Sequence, residues 1–263
     1  MPRLLKLVLL LTVSPVTCAF AADLTIEQVR QALAAATPEV RADFSGKSLE
    51  GLDLSELDLR WTNLAGANLF GAKLVGANLS NANLSGANLN LAWIMRANFT
   101  NADLSNASLQ GLVVSSRLEI SLAEAPTFRN ANFAGARIIA RLSRFDLSDA
   151  NFANARMGVD MRNQSMGLMR TDLSGSNLAR ANFAGADLSW ALLRFADLTE
   201  ASLAGADLAR ADLSGANLTD ADLTDANAAA ADFGSTILKG AKGLDTMKGL
   251  DTTKGLDAKR ERR

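Results

Sequence analysis

Four thioethers fall within thirteen residues, at Met157, Met161, Met166 and Met169. A sulfur set of that density could hold Cu(I), a soft ion. The competing use is mechanical, because a flexible Met fills irregular space in a core. Aspartates recur at Asp187, Asp207, Asp212 and Asp222, and paired carboxylates can serve acid–base chemistry. Each of them directly precedes a leucine, where Asp or Asn bonds the local turn. The chain has no His and a single Cys, Cys18. The commonest general base and metal ligand is therefore missing, and no nucleophile–base pair can be assembled downstream of Cys18. The glycines follow a repeat rather than a phosphate-binding loop. The reading is a protein that is not an enzyme and takes no cofactor or metal.

Whatever these side chains do, an unusual element must position them. The stretch Ala67–Asn90 reads ANLFG AKLVG ANLSN ANLSG ANLN. Leucine returns every fifth residue, with alanine two places earlier. On a helix, steps of five scatter leucine around the cylinder. On a flat strand they send successive leucines to opposite faces. All the leucines point inward only if the chain bends once per repeat. Ala and Leu, two apart, then aim into one core, while Asn, Ser and Gly make the corner. Fixed-period self-similarity of this kind indicates a solenoid.

The A-N/D-L-x-x pattern resembles the pentapeptide-repeat proteins over about residues 42–240. The resemblance implies an all-β, right-handed quadrilateral β-helix with four pentapeptides per coil, and says little about function. Central slots run from Phe44 to Val114 in unbroken register. Interruptions are expected near 115–127 and 139–167, and a second block runs from Leu168 to Leu238. At strand spacing the tube is roughly 45 Å long.

Residues 1–21 read as a secretory signal peptide. Arg3 and Lys6 supply the positive start, Leu7–Val13 the apolar run, and Ala19-Phe20-Ala21 the cleavage pattern, so the cut is expected after Ala21. A membrane anchor is the alternative, but the run is short and Pro15 interrupts it. The localisation expected is periplasmic or secreted, with no membrane span in the mature chain and, once Cys18 is removed, no disulfide. Residues 22–41 are expected to form a helical cap, with Thr25 and Gln28 as a capping box and Ile26, Val29 and Leu33 on one face. A solenoid end needs such a lid. The tail, 241–263, repeats KGLD every six residues and ends KRERR. Its period predicts a basic flexible segment off the coil.

With 27 basic and 28 acidic residues, the chain does not read as an electrostatic nucleic-acid binder. Residues 22–238 hold 17 basic and 24 acidic residues. Between Thr62 and Met95 the only charge is Lys73, whereas Arg170–Asp225 is densely charged, so the two ends could face different partners. Large apolar residues stand in solvent slots at Trp61, Phe70, Trp93, Trp190 and Phe195 and mark contact points. Residues twenty apart should stack. Trp190 is thus expected between the guanidinium groups of Arg170 and Arg210, and Arg180 is expected to pair with Glu200. The function expected is a non-catalytic periplasmic scaffold binding another protein. Two alternatives stand. One is a gyrase-binding DNA mimic, as the family's quinolone-resistance members imply. The other is an envelope polysaccharide binder using Trp61, Phe70, Trp93 and the amide ladders.

Overall fold

The structure, a computed structural model, describes residues 22–37, 39–115, 121–159 and 169–256. The signal peptide, its cut site and Cys18 lie outside the described residues, as do Met161, Met166 and Leu168.

From residue 42 the chain winds as a four-sided coil. Parallel bridges link residues twenty apart, from Asp43 to Asn63, Ser48 to Asn68, Asp53 to Lys73 and Asp58 to Asn78. These pairs open the first, second, third and fourth sides. The first side carries ten rungs, from Asp43 through Asn132 and Asn182 to Lys242, or roughly 43 Å at strand spacing. The chain bends because each repeat ends in a turn. The Ala67 N–H donates to the Leu64 carbonyl at 3.0 Å, and Gly66 between them has φ +65°. A left-handed residue at the third turn position is what a type II turn demands.

Inside lie the leucines and alanines. Every central residue from Phe44 to Val114 is buried, and Leu84 sits at 0% exposure between Leu64 and Leu104. Outside, an asparagine before the leucine works twice. Asn63 Oδ1 accepts the N–H of Ala65 at 3.2 Å, and its amide nitrogen donates to Asp43 Oδ1 one coil below at 2.9 Å. Only Asn can do both, since a carboxylate has no proton to pass on.

The register breaks are resolved as three events. Asn98 pairs with Thr127, so nine residues are inserted between Val114 and Thr127. Thr127 pairs with Asp146, nineteen on, so one residue is deleted before Leu142. Arg141 pairs with Asp172, thirty-one on, so eleven residues are inserted after Met157. In the described register the second block thus opens at Leu173. Strands β1 (Ser108–Gln110) and β2 (Arg137–Ile139) pair in parallel across the first insertion. Phenylalanines hold the core together there. Phe99 and Phe128 stack at 4.9 Å, and Phe133, Phe152 and Phe183 form a column with 4.8 Å spacings. At re-entry Thr171 replaces the usual alanine. Its buried hydroxyl lies 2.9 Å from the Ile138 carbonyl and 2.8 Å from that of Met157.

Helix α1 (Ile26–Ala35) covers the first coil. Thr25 and Gln28 form its capping box, and Val29 is buried, with Ile26 and Leu33 packed against the core. Ahead of it the Asp23 N–H donates to the Ser48 carbonyl at 2.8 Å. Among the described residues no helix is long and apolar enough to cross a membrane.

The far end corrects the expectation of a flexible tail. Lys242, Lys248 and Lys254 pair with Asp222, Asn227 and Asp232, so the six-residue repeats continue the coil as far as Leu256. The extra residue per repeat is absorbed at glycine. Gly249 has φ +72°, and a Cβ there would lie 2.7 Å from Ala229 Cα. Bare glycine lets the last coil lie directly on the backbone beneath it. Met247 and Leu256 are buried, and Leu244 and Leu250 pack on the core.

Candidate functional site

The corner slot decides where the large side chains go. It needs positive φ, and Gly or Asn fills it across most of the first block. Trp61 (φ 62°), Trp190 (φ 64°) and Phe195 (φ 55°) occupy it instead. A bulky residue there costs on the order of 1 kcal/mol and throws its side chain outward.

Trp190 lies at the corner between the second and third sides. Arg170 covers one face of the indole, with Cζ 5.2 Å from the ring centroid, and Arg210 lies 4.8 Å away in the next coil. The expected ladder is present, with the ring half-buried between the two cations. Each contact contributes about 0.5–1 kcal/mol at an exposed site. Phe195 stands at the next corner, 74% exposed, and lies over Gly215, where a Cβ would sit 2.5 Å from the phenyl ring. Between the two, on the third side, come half-buried Leu192 and then Arg194, whose Nε donates to Asp212 Oδ2 at 2.6 Å.

Trp93, 40% exposed, is on this same third side, paired between Lys73 and Val113. Leu91 is at the corner beside it, and Phe70 at the neighbouring edge of the second side. Trp61 is apart, at the diagonally opposite corner. Arg41 lies over its ring at 4.8 Å, and the pair lines a cleft of about 430 Å³ under α1 with Leu33, Asp58 and Arg60.

Both insertions border the third side. The first leaves after Val114 on that side and rejoins on the fourth at Thr127. The second leaves after Met157 on the second side and rejoins on the third at Asp172. In the first, the carboxylate of Glu124 accepts from Ser115 Oγ at 2.8 Å, and its carbonyl accepts the Arg96 N–H at 2.8 Å. The expected contact residues of the two blocks, Trp61 apart, thus fall on the third side, its corners or the adjoining edge of the second. Register arithmetic from sequence could not place them, because 29- and 31-residue coils hide which slots align. Leu91 and Leu192 were nonetheless readable, as leucines in a corner slot and a rung slot that point away from the core.

The expected Arg180–Glu200 pair is corrected. Arg180 does not pair with Glu200. It grips Asp149 on the coil below, with Nε–Oδ1 at 2.6 Å and Nη2–Oδ2 at 2.9 Å. These hydrogen bonds hold the Asp149 carboxyl below the usual range. Of the four methionines, two fall among the described residues. Met157 is wholly buried in a central slot, and Met169 is 57% exposed. Among those residues no cluster of three or more His, Cys, Asp or Glu could hold a metal.

A family model described as pentapeptide repeats matches the chain in eight copies, over residues 40–69, 62–101, 72–111, 168–199 and 201–240. Solved structures are similar over much of the chain. HetL, a pentapeptide repeat protein involved in heterocyst differentiation regulation from the cyanobacterium Nostoc sp. strain PCC 7120, is 28% identical. It covers 86% of this chain and 94% of its own, with a TM-score of 0.43. Full-length QnrB1, a plasmid-mediated fluoroquinolone resistance protein, is 21% identical, covering 82% and 96%, with a TM-score of 0.36. A pentapeptide repeat protein from the Arabidopsis thaliana thylakoid lumen is 26% identical, covering 50% and 79%, with a TM-score of 0.19. No curated protein matches the chain.

Proposed function

The chain belongs to the pentapeptide-repeat family, and from that premise we propose that it is a non-enzymatic, exported scaffold that binds another protein through the third side of its tube. One observation carries this reading. Trp93, Leu91, Trp190, Leu192 and Phe195 lie on that side or its corners, and both insertions border it. Rigid aromatics with arginine are the usual anchors of protein interfaces, and irregular segments on a rigid frame are where recognition concentrates. Export rests on residues 1–21 as a sequence, and it places the partner in the periplasm or outside the cell. We take the coil to be right-handed, as the family resemblance implies.

The other readings draw less support. A duplex mimic needs acidity spread along the tube, and arginines interrupt it on the second and third sides. A glycan site built on Trp61, Phe70 and Trp93 would have to span opposite corners. A photocrosslinking residue at Leu192, compared with one at Asn83 on the first side, tests the proposal in the native cell. The expected outcome is a protein adduct from Leu192 alone, on a chain whose N-terminus is Ala22. Equal labelling from both positions would overturn the binding side, and a retained Met1 would overturn export.

A further inference from the structure

Lysine gathers at one end of the tube. Residues 22–238 hold fifteen arginines and two lysines, Lys47 and Lys73. The last described coil, residues 237–256, holds four lysines and no arginine. They are spread around it. Lys242 is on the first side, Lys248 on the second and Lys254 on the third. Lys239 follows two residues after Ile237, the rung residue of the fourth. All four are exposed, and none takes part in the ion pairs among the described residues. The coil beneath has the opposite sign. Over residues 217–236 come Asp220, Asp222, Asp225 and Asp232, with no basic residue. Lys242 and Lys254 pair above Asp222 and Asp232, whereas Lys248 pairs above Asn227. Compensation of the acidic rungs thus accounts for two of the lysines and not for Lys248.

The arrangement selects the shape of what it meets. A peptide, glycan or duplex lying along one side reaches a single lysine, and it runs beside a body of 17 basic and 24 acidic residues. A plane met end-on reaches all four, because a lysine stem is long enough to lean past the coil that carries it. A second copy of the same end would bring two rings of like charge together. The residue type agrees. Arginine's rigid fork suits fixed ion pairs, whereas lysine carries a hydrated point charge on a flexible stem. Ile237, 52% exposed on the same coil, adds an apolar group suited to the boundary between headgroups and acyl chains. The sequence keeps the sign, with four basic and two acidic residues over 257–263.

We propose that this end of the tube docks on the surface of an anionic phospholipid bilayer. The lysine ammonium groups face the headgroup phosphates, and the acidic coil behind them is repelled, so the tube stands on the membrane rather than lying along it. Such attachment leaves the third side open and is separate from the partner-binding reading.

Cosedimentation of the chain beginning at Ala22 tests this with two vesicles, an equimolar mixture of phosphatidylglycerol and phosphatidylcholine, and phosphatidylcholine alone. Binding should require phosphatidylglycerol and weaken as salt rises. Each lysine near such a surface strengthens binding about fivefold, so Lys242→Gln/Lys248→Gln/Lys254→Gln should lose about a hundredfold. Lys248→Gln alone uncovers no carboxylate on the rung below. It should lose about fivefold at an unchanged melting temperature, which keeps the test sound where the triple variant is destabilised. The chain from Ala22 has no cysteine, so Asp251→Cys and Asn83→Cys each place one fluorophore. A headgroup quencher should dim the label at 251 and leave that at 83 unchanged. Equal binding to phosphatidylcholine, parental affinity in either glutamine variant, or equal quenching of the two labels would each overturn the proposal. So would polyglutamate displacing the vesicles at equal charge, since the end would then be a site for soluble acidic chains.

Discussion

Arg180 and Asp149 are joined by two hydrogen bonds, 2.6 and 2.9 Å long, across thirty-one residues of sequence. Asp149 belongs to the coil before the second insertion and Arg180 to the coil after it, so the pair ties the two blocks at the fourth corner. Both groups are partly solvated, and such a pair contributes about 0.2–1 kcal/mol. A double-mutant cycle with Arg180→Ala and Asp149→Ala should return a coupling in that range by urea denaturation, shrinking with added salt. The parallel cycle of Arg180 with Glu200 should return a smaller value. Equal couplings would contradict the pairing.

Leu84 tests the core. Its side chain is fully enclosed, and truncation to Ala leaves a cavity between Leu64 and Leu104 that the stacked coils cannot close. The expected loss is about 2–5 kcal/mol. Leu84→Lys buries an unpaired charge and should unfold the neighbouring coils. Phe fills equivalent slots at Phe99, Phe133 and Phe183, so Leu84→Phe should be milder. A lysine variant melting with the parent would refute the inward register.

Gly249 tests the last coil. Ala there meets the Ala229 backbone in a left-handed conformation, which should lift residues 242–256 off the solenoid. Amide exchange should quicken at Lys248 and Lys254, whose N–H groups donate to Ala226 and Ala231 at 2.9 Å. Gly46→Ala, with φ +64° but nothing within 4 Å, isolates the strain from the clash and should leave that exchange unchanged. Unchanged exchange in Gly249→Ala would show that the coil is not seated as described.

Acid should loosen the tube. The carboxyls of Asp43, Asp149 and Asp222 are held below their ordinary value of 3.8, by the Ser45 N–H, the Arg180 guanidinium and the Thr224 hydroxyl respectively. A depressed folded value means the stabilisation is complete above the unfolded value and is lost as pH falls through the folded one. Stability in urea should therefore be flat from about pH 7 to about pH 5 and decline below about pH 4. Asp222→Asn keeps the acceptor oxygen and should lessen that decline. A decline beginning near neutrality would point to other groups.

The sequence by itself determined the coil, because a five-residue Leu and Ala period can be buried in one direction only if the chain turns at every repeat. It also determined the Arg170–Trp190–Arg210 stack, since these residues lie in unbroken twenty-residue register. Where the register breaks, spacing ceased to report neighbours. Arg180 found Asp149 rather than Glu200 because an eleven-residue insertion lies between them, and no count along the chain reveals how many inserted residues leave the ladder. The six-residue tail read as incompatible with a five-residue coil. Only the stacked backbones showed that a glycine at each corner gives the extra residue room. The gathering of Trp93, Leu192 and Phe195 on one side was likewise decided by tertiary structure, because the insertion lengths set which side each later residue joins.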